Sequence, residues 1–453
     1  MRNHLLRATT RRYNVRHGSL GDHYQIRRGR ESDVDQLACL QAAVQLQAAT
    51  GGEPHAGITA WVHDLLSGHP SVVPDDFLVV EDTATGHLAA SLVGLRQEWS
   101  LAGIRLPVVQ VELVGTAPEH RGNQLTEHLL AALHDRCAND HVPLQVIEGI
   151  PHFYRRFGYD YALANGGAPT VPANALPDAY RGPWTVRPAT AADADALAGL
   201  DRRQADGEVL ACQRDAVVWR YEIEGRRAKD LVRREIAVLL RGADVQGYLV
   251  HGTALSLTGE LTVFAATCEP AGHWPEAAAA MYAHLGRVGR RYATTAQRPF
   301  HAVRLLLDAD HLLARMGPSG IPARPGAWYA RTGDPIALLA RLAPLLRSRW
   351  QSADLRWPEP TLVIDTYTAS ARLEFDEGEL TAVTARRSTV GPSADASHHA
   401  TMPPGALLHL TVGHRTLPEV LDAWPDAAVR DGLTEQFLSA AFPRVPVRVW
   451  PRN

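Results

Sequence analysis

One opening pattern occurs twice in this chain, and it restricts the possible folds more than any other feature. YQIRRGRESDVDQLACL starts at Tyr24 and WTVRPATAADADALAGL at Trp184. In each, a short strand (Ile26-Arg27; Val186-Arg187) precedes an aspartate pair (Asp33 and Asp35; Asp193 and Asp195), and a leucine (Leu37; Leu197) then opens a helical period. Asp33 and Asp193 stand where a helix N-terminus accepts an anionic side chain. About fifty residues later each copy continues with an apolar run, a polar Asp/Gly turn and a second apolar run. These are FLVVEDTATGHLAASLVGL from Phe77 and IAVLLRGADVQGYLVHG from Ile236, both patterned as hairpins. A repeat this long is a whole domain and not a solenoid unit. The spacing predicts two copies of one α/β domain, at 24–180 and 184–335.

The remainder, 336–453, reads as a separate α+β domain. It is expected to begin with one amphipathic helix, PIALLARLAPLLRSRW, and to continue with the strand TLVIDTY and the hairpin ARLEFDEGELTAV. A polar loop, RRSTVGPSADASHHATMPPG, leads to ALLHLTVG, read as a further strand, and LPEVLDAW and LTEQFLSAAF are read as helices. Ahead of the first copy, residues 1–23 are basic without an apolar centre, so they are read as a flexible extension and not a secretory signal.

Composition narrows the function. The 453 residues exceed what one core accommodates, and 45% hydrophobic with 21% charged residues is ordinary for a soluble protein. A net charge of -3 offers no basic face for nucleic acid. No apolar run approaches the ~18 residues a bilayer-spanning helix needs. Cys39, Cys137, Cys212 and Cys268 lie far apart, with no metal-ligand spacing, and read as reduced thiols of a cytoplasmic protein.

The first copy holds a joint that the second lacks. Val108–Val114 is a nearly continuous apolar strand containing Glu112, and Leu125, Leu129, Leu133 and Cys137 give the next helix one buried stripe. Between them runs PEHRGNQL. A helix N-terminus offers unpaired N–H groups and partial positive charge, a natural phosphate site. Arg121 adds a permanent cation, and Gly122 lets backbone approach a ligand.

With its Arg-x-x-Gly-like loop between strand and helix, the chain resembles the GNAT acetyltransferase superfamily. There an Arg/Gln-x-x-Gly-x-Gly/Ala loop grips the coenzyme A pyrophosphate. The resemblance maps that loop onto Arg121, Gly122, Asn123, Gln124, Leu125 and Thr126, with Gln124 at the first glycine and Thr126 at the second small residue. A later run, Phe153-Tyr154-Arg155-Arg156-Phe157-Gly158-Tyr159, is similar to the "enhanced intracellular survival" (Eis) branch. That branch implies an active GNAT domain, a degenerate GNAT-like domain and a sterol-carrier-protein-like domain. It also implies acetyl-CoA as co-substrate, a small polycationic amine acceptor (aminoglycoside- or polyamine-like), no metal, and a homo-oligomer such as a hexamer.

Tyr154 is the candidate acid for the departing thiolate, the role the resemblance gives its counterpart. Packing with Phe153 and Phe157 is the plainer alternative. Val114 and Thr116 fall where the family pairs strand backbone with the pantetheine arm. Glu112 falls where several members place a general base, and a half-buried strand carboxylate has a raised pKa. A solvated Glu112 paired with an arginine explains the residue equally well. In the Eis-like branch the terminal carboxylate, here that of Asn453, enters the site, whereas a frayed tail is the general rule for termini. Departures at Gln124 and Thr126 leave a non-catalytic acyl-CoA or lipid-binding protein as the alternative. An acyltransferase acting on a peptide lysine is a third reading.

Overall fold

In a computed structural model the chain is described over residues 20–21, 23–45, 53–207, 209–387 and 399–450. Almost all of the extension 1–23, the middle of the polar loop and Asn453 lie outside these residues.

The first sheet begins with β1 (Tyr24–Arg28), β2 (Phe77–Asp82), β3 (Leu88–Leu101), β4 (Ile104–Thr116) and β5 (Leu144–Ile147). The first four pair antiparallel in sequence order, and both expected hairpin arms of this copy are β2 and β3. β4 and β5 run parallel, which requires a crossover, and helix α3 (Leu125–Asn139) provides it. The expected stripe, Leu125, Leu129, Leu133 and Cys137, is buried under the sheet together with Leu130. On the other face lie α1 (Val34–Val44) and α2 (Ala56–Ser67), packed on each other around Leu37, Trp61 and Leu65.

A second, six-stranded sheet contains β8 (Trp184–Pro188), β10 (Arg234–Arg241), β11 (Asp244–Gly252), β12 (Glu260–Cys268) and β13 (Ala302–Leu305). β10 and β11 are the expected hairpin of the second copy. The two openings share one device. Arg27 holds Asp33 through both guanidinium nitrogens at 2.6 and 3.0 Å, and Arg187 holds Asp193 at 2.7 and 2.8 Å. Each aspartate also accepts from the backbone N–H three residues before it, of Arg30 or Thr190, at 2.8 Å. The aspartates stand at the helix N-termini, as expected, and cap the short 3-10 turns that lead into the helices, with their hydrogen-bond partners behind them.

The two sheets do not follow the expected segments. β14 (Gly326–Arg331) lies between β5 and β6 (Asp160–Asn165) in the first sheet, antiparallel to both. In exchange, β7 (Val171–Pro172) pairs with β13 in the second sheet. The far half of β3 pairs with β9 (Leu210–Cys212), and β9 with the strand Val447–Arg448. The first sheet thus has nine strands drawn from the whole chain.

From 336 the chain forms a five-stranded sheet, beginning with β15 (Thr361–Asp365), β16 (Ala369–Asp376) and β17 (Glu379–Arg387), with helices on it. Two expectations change here. The single helix from Pro335 is two, Pro335–Arg341 and Ala343–Ser352, because Pro344 has no N–H to continue the first. ALLHLTVG is helical, Pro404–Thr411, and not a strand. A continuous apolar run has no period to separate the two states, and Pro404 at the first turn favours the helix. Among the described residues no helix is long and apolar enough to cross a membrane. The mixed α/β class is as expected.

Candidate active site

The register of β3 against β4 passes from Ser91↔Gly115 to Val93↔Glu112, so β4 carries one extra residue. Leu113 accommodates it at φ 50, a β-bulge with the backbone in the left-handed region. On its other side β4 pairs with β5 only from Val108 to Gln110. Past Gln110 the two strands part, and a cavity of about 470 Å³ opens between β4 and α3.

One wall is Val114, Gly115 and Thr116 of β4. The floor is the loop into α3, including Arg121, Gly122, Gln124, Leu125 and Thr126. The far wall is the 3-10 turn Phe153–Phe157, which brings in Tyr154 and Arg156. Of the expected contact residues, eight face this cavity: the six wall and floor positions Thr116, Arg121, Gly122, Gln124, Leu125 and Thr126, with Val114 and Tyr154. Leu125 is itself buried, so it can offer only main chain.

The loop is an uncapped helix start. Gln124 is the N-cap of α3 at φ 54 and its side chain makes no capping bond. Among the described residues the amides of Gly122 to Thr126 have no acceptor, and Arg121 has no ion pair. Gln124 is exposed and does not plug the loop. Gly122, at φ +86, has open space where a Cβ would be. Asn123 does not face the cavity but braces the loop: its Nδ2 donates to the carbonyl of His120 at 3.0 Å. The hydroxyl of Tyr24 meets His120 Nδ1 at 2.9 Å, tying the loop to β1. Thr116 Oγ1 and Thr126 Oγ1 lie 3.1 Å apart, so the second departure from the family pattern links strand to helix.

Tyr154 is 4% exposed and packs against Phe153, Phe157, Tyr159 and Tyr329. Its ring presses on Gly149, where a Cβ would fall 2.2 Å from Cε2. Tyr154 is thus packed in the core, as its plainer alternative has it, and it also lines the cavity. Burial above all, then the charge of Glu112 and then Tyr329, pushes its phenol up. The hydroxyl keeps its proton at any working pH and releases it less readily than a free phenol.

Glu112 lies beside the bulge, outside the cavity lining. Burial pushes its carboxyl up to about 8, against a hydrogen bond from Gln110 that lowers it and the charge of Glu148 that raises it. Gln110 Nε2 donates to Glu112 Oε1 at 2.5 Å. Among the described residues no arginine pairs with Glu112, so the solvated, ion-paired alternative is not what the structure has. Arg156 is taken by Glu127 at 2.6 Å and Arg155 by Asp160 at 3.1 Å. His152 turns the chain at φ 66. Of the C-terminal stretch, Trp450 packs on Trp219, with Arg214 stacked over it at 3.8 Å.

Sequence reasoning overlooked Gln45, just after α1. Its Nε2 donates to the carbonyl of Val114 at 2.9 Å and to Gln41 Oε1 at 3.0 Å, and Gln41 Nε2 donates to Ser91 Oγ at 2.7 Å. No local motif marks these positions, since they meet only when α1 packs on the sheet.

Residues 25–162 match the acetyltransferase (GNAT) domain family. No curated protein matches the chain in sequence. Among solved structures, the GCN5-related N-acetyltransferase from Anabaena variabilis ATCC 29413 is 14% identical. It aligns with a TM-score of 0.66 over 94% of this chain and 99% of its own. The GCN5-related N-acetyltransferase from Kribbella flavida is 16% identical, with a TM-score of 0.61 over 94% and 97%. Eis1 from Mycobacterium abscessus is 15% identical, with a TM-score of 0.58 over 92% and 97%. At such identities the likeness is one of fold, and it extends well beyond the matched domain.

Proposed function

We propose that this coenzyme A-dependent acyltransferase, built on a GNAT acetyltransferase domain, moves an acetyl group from acetyl-CoA to an amine of a small polycationic acceptor. The observation that carries the reading is the cavity where β4 leaves β5. It has free helix-start amides and Arg121 at one end and Tyr154 at the other. The diphosphate of coenzyme A would lie on the amides of Gly122 to Thr126 beside the guanidinium. The pantetheine arm would run along Val114 and Thr116, taking over the Val114 carbonyl that Gln45 now holds.

In the reaction the amine nitrogen attacks the thioester carbon, and the carbonyl oxygen gathers negative charge beside the Val114 amide. Glu112, set back from the cavity lining, would take the proton from the attacking nitrogen by way of one water, a role suited to a carboxyl pushed up to about 8. When the carbon–sulfur bond breaks, the thiolate receives a proton from the hydroxyl of Tyr154 on the far wall of the cavity. Glu112 returns its proton to the tyrosinate, and the charges balance. Glu148, whose charge reaches Glu112, adds negative potential on the side from which a cationic acceptor would come.

The resemblance to the Eis-like branch also assigns the second sheet to a degenerate GNAT-like domain and 336–453 to a sterol-carrier-protein-like domain. It further gives a cytoplasmic homo-oligomer. These remain parts of the proposal.

Purified protein given acetyl-CoA and a panel of polyamines, aminoglycosides and lysine peptides should release free thiol with at least one polyamine or aminoglycoside. Tyr154→Phe should lower kcat by about 100-fold while leaving coenzyme A affinity in place. Release with lysine peptides alone would replace the acceptor class. Micromolar binding of acetyl-CoA with no release on any amine would leave a binding protein.

A further inference from the structure

The face of the first sheet that carries Glu112 also carries a row of polar side chains in an otherwise apolar setting. Trp99 and Gln97 lie on β3 and Gln110 on β4, and they are 0, 6 and 0% exposed. Trp99 Nε1 donates to Gln97 Oε1 at 2.8 Å, and the thiol of Cys212, on β9, donates to the same oxygen at 3.5 Å. Gln97 Nε2 donates to Gln110 Oε1 at 2.6 Å, and Gln110 Nε2 to Glu112 Oε1 at 2.5 Å.

Chemistry fixes the direction of this row. An indole N–H can only donate, so the Gln97 atom facing it must be the amide oxygen. That leaves the Gln97 nitrogen toward Gln110, whose oxygen must then face it, and whose nitrogen must face Glu112. Reversing either amide would set like against like in a buried place and leave those groups without partners. One donor-only ring thus determines what a carboxylate three side chains away receives.

We propose that Trp99, Gln97 and Gln110 are positioning residues that dedicate Glu112 Oε1 to an incoming N–H, so that the catalytic proton is taken up and released only at Oε2. This deepens the acyltransferase reading and rests on Glu112 being its base. The other ionisable groups that act on Glu112 are Glu148, after β5, and Tyr154, in the 3-10 turn. Neither is part of the row.

The test reads the carboxyl directly and needs no acceptor. Infrared difference spectra of the full chain, recorded across pH, should contain a protonated-carboxyl band that Glu112→Gln removes. Donation from Gln110 favours the ionised form, so Gln110→Met should move the band's midpoint up by about one pH unit. Gln97→Met and Trp99→Phe should move it the same way by less, because they free an amide to turn without removing it. The Glu112 band should also shift in frequency in Trp99→Phe, which a purely packing role for the indole would not produce. An unchanged midpoint in both Gln110→Met and Gln97→Met overturns the proposal. So does a Glu112→Gln spectrum that loses no band, since an ionised carboxylate has no proton to assign. If the midpoints move but the pH profile of thiol release does not follow them, the row stands and the base is another group.

Discussion

Gln124 occupies a left-handed backbone position where the family pattern has glycine, and its exposed side chain leaves the loop open. The departure is thus one of backbone strain more than of blockage. Left-handed geometry costs an ordinary residue about 1–2 kcal/mol, and glycine's greater unfolded freedom returns part of it. Gln124→Gly should leave stability equal or raise it by up to ~1 kcal/mol in urea titration, with acetyl-CoA affinity unchanged within a few-fold. Gln124→Val, branched at Cβ, should destabilise by at least that much. Glu112 makes a different prediction. Its folded carboxyl binds a proton up to about 8, whereas the ordinary glutamate value is 4.5. Between these the folded state holds more protons than the unfolded one, so stability falls as pH rises through that window. Glu112→Gln should be more stable than the parent chain at pH 8.5, by on the order of 3 kcal/mol, and nearly equal to it at pH 4.5, as thermal unfolding would register. Arg121, Gly122 and Tyr154 were legible because the signal for each sits within a few residues of it. Gln45, Gln97 and Gln110 were not, because an interior amide draws its meaning from partners on other elements.

At the level of elements, the twin openings illustrate what a repeat can and cannot reveal. The spacing located both strand-to-helix passages and both aspartates, yet the partners of those aspartates lay backward, in Arg27 and Arg187. For Asp193, the hydrogen bond from Arg187 outweighs burial and brings the carboxyl down to about 2. Such a group stabilises the fold above the ordinary aspartate range and loses that contribution as pH falls through about 2. Arg187 is 40% exposed, so solvent screening reduces the pair's worth. Asp193→Asn should cost about 1 kcal/mol at pH 7, and the difference from the parent should shrink below pH 4, which denaturant titration at both pH values would measure. Helices with a one-sided stripe, α3 above all, were readable from spacing. ALLHLTVG was not, since a segment buried on every side has no stripe to read.

For the whole molecule, strand order is the feature that no local pattern announced. β14 closes the first sheet between β5 and β6, while β7 serves the second. The two matching openings and the hairpins after them were legible as sequence; the exchange of strands between the sheets was not, because strand pairing is decided by contacts across more than a hundred residues. A fragment of residues 1–180 should therefore expose the edges of β5 and β6 and purify as aggregate or as a species without near-ultraviolet dichroism. The full chain should show one calorimetric transition spanning both α/β sheets. A soluble, cooperatively unfolding 1–180 fragment would contradict the exchange. The same arrangement sets a schedule for synthesis. At ~5–20 residues per second, a ribosome that has finished β5 works for roughly ten to forty seconds more before β14 emerges. Throughout that interval the nascent sheet has an unfilled slot flanked by hydrogen-bonding edges, so a chaperone that covers them during translation should raise the yield of active protein.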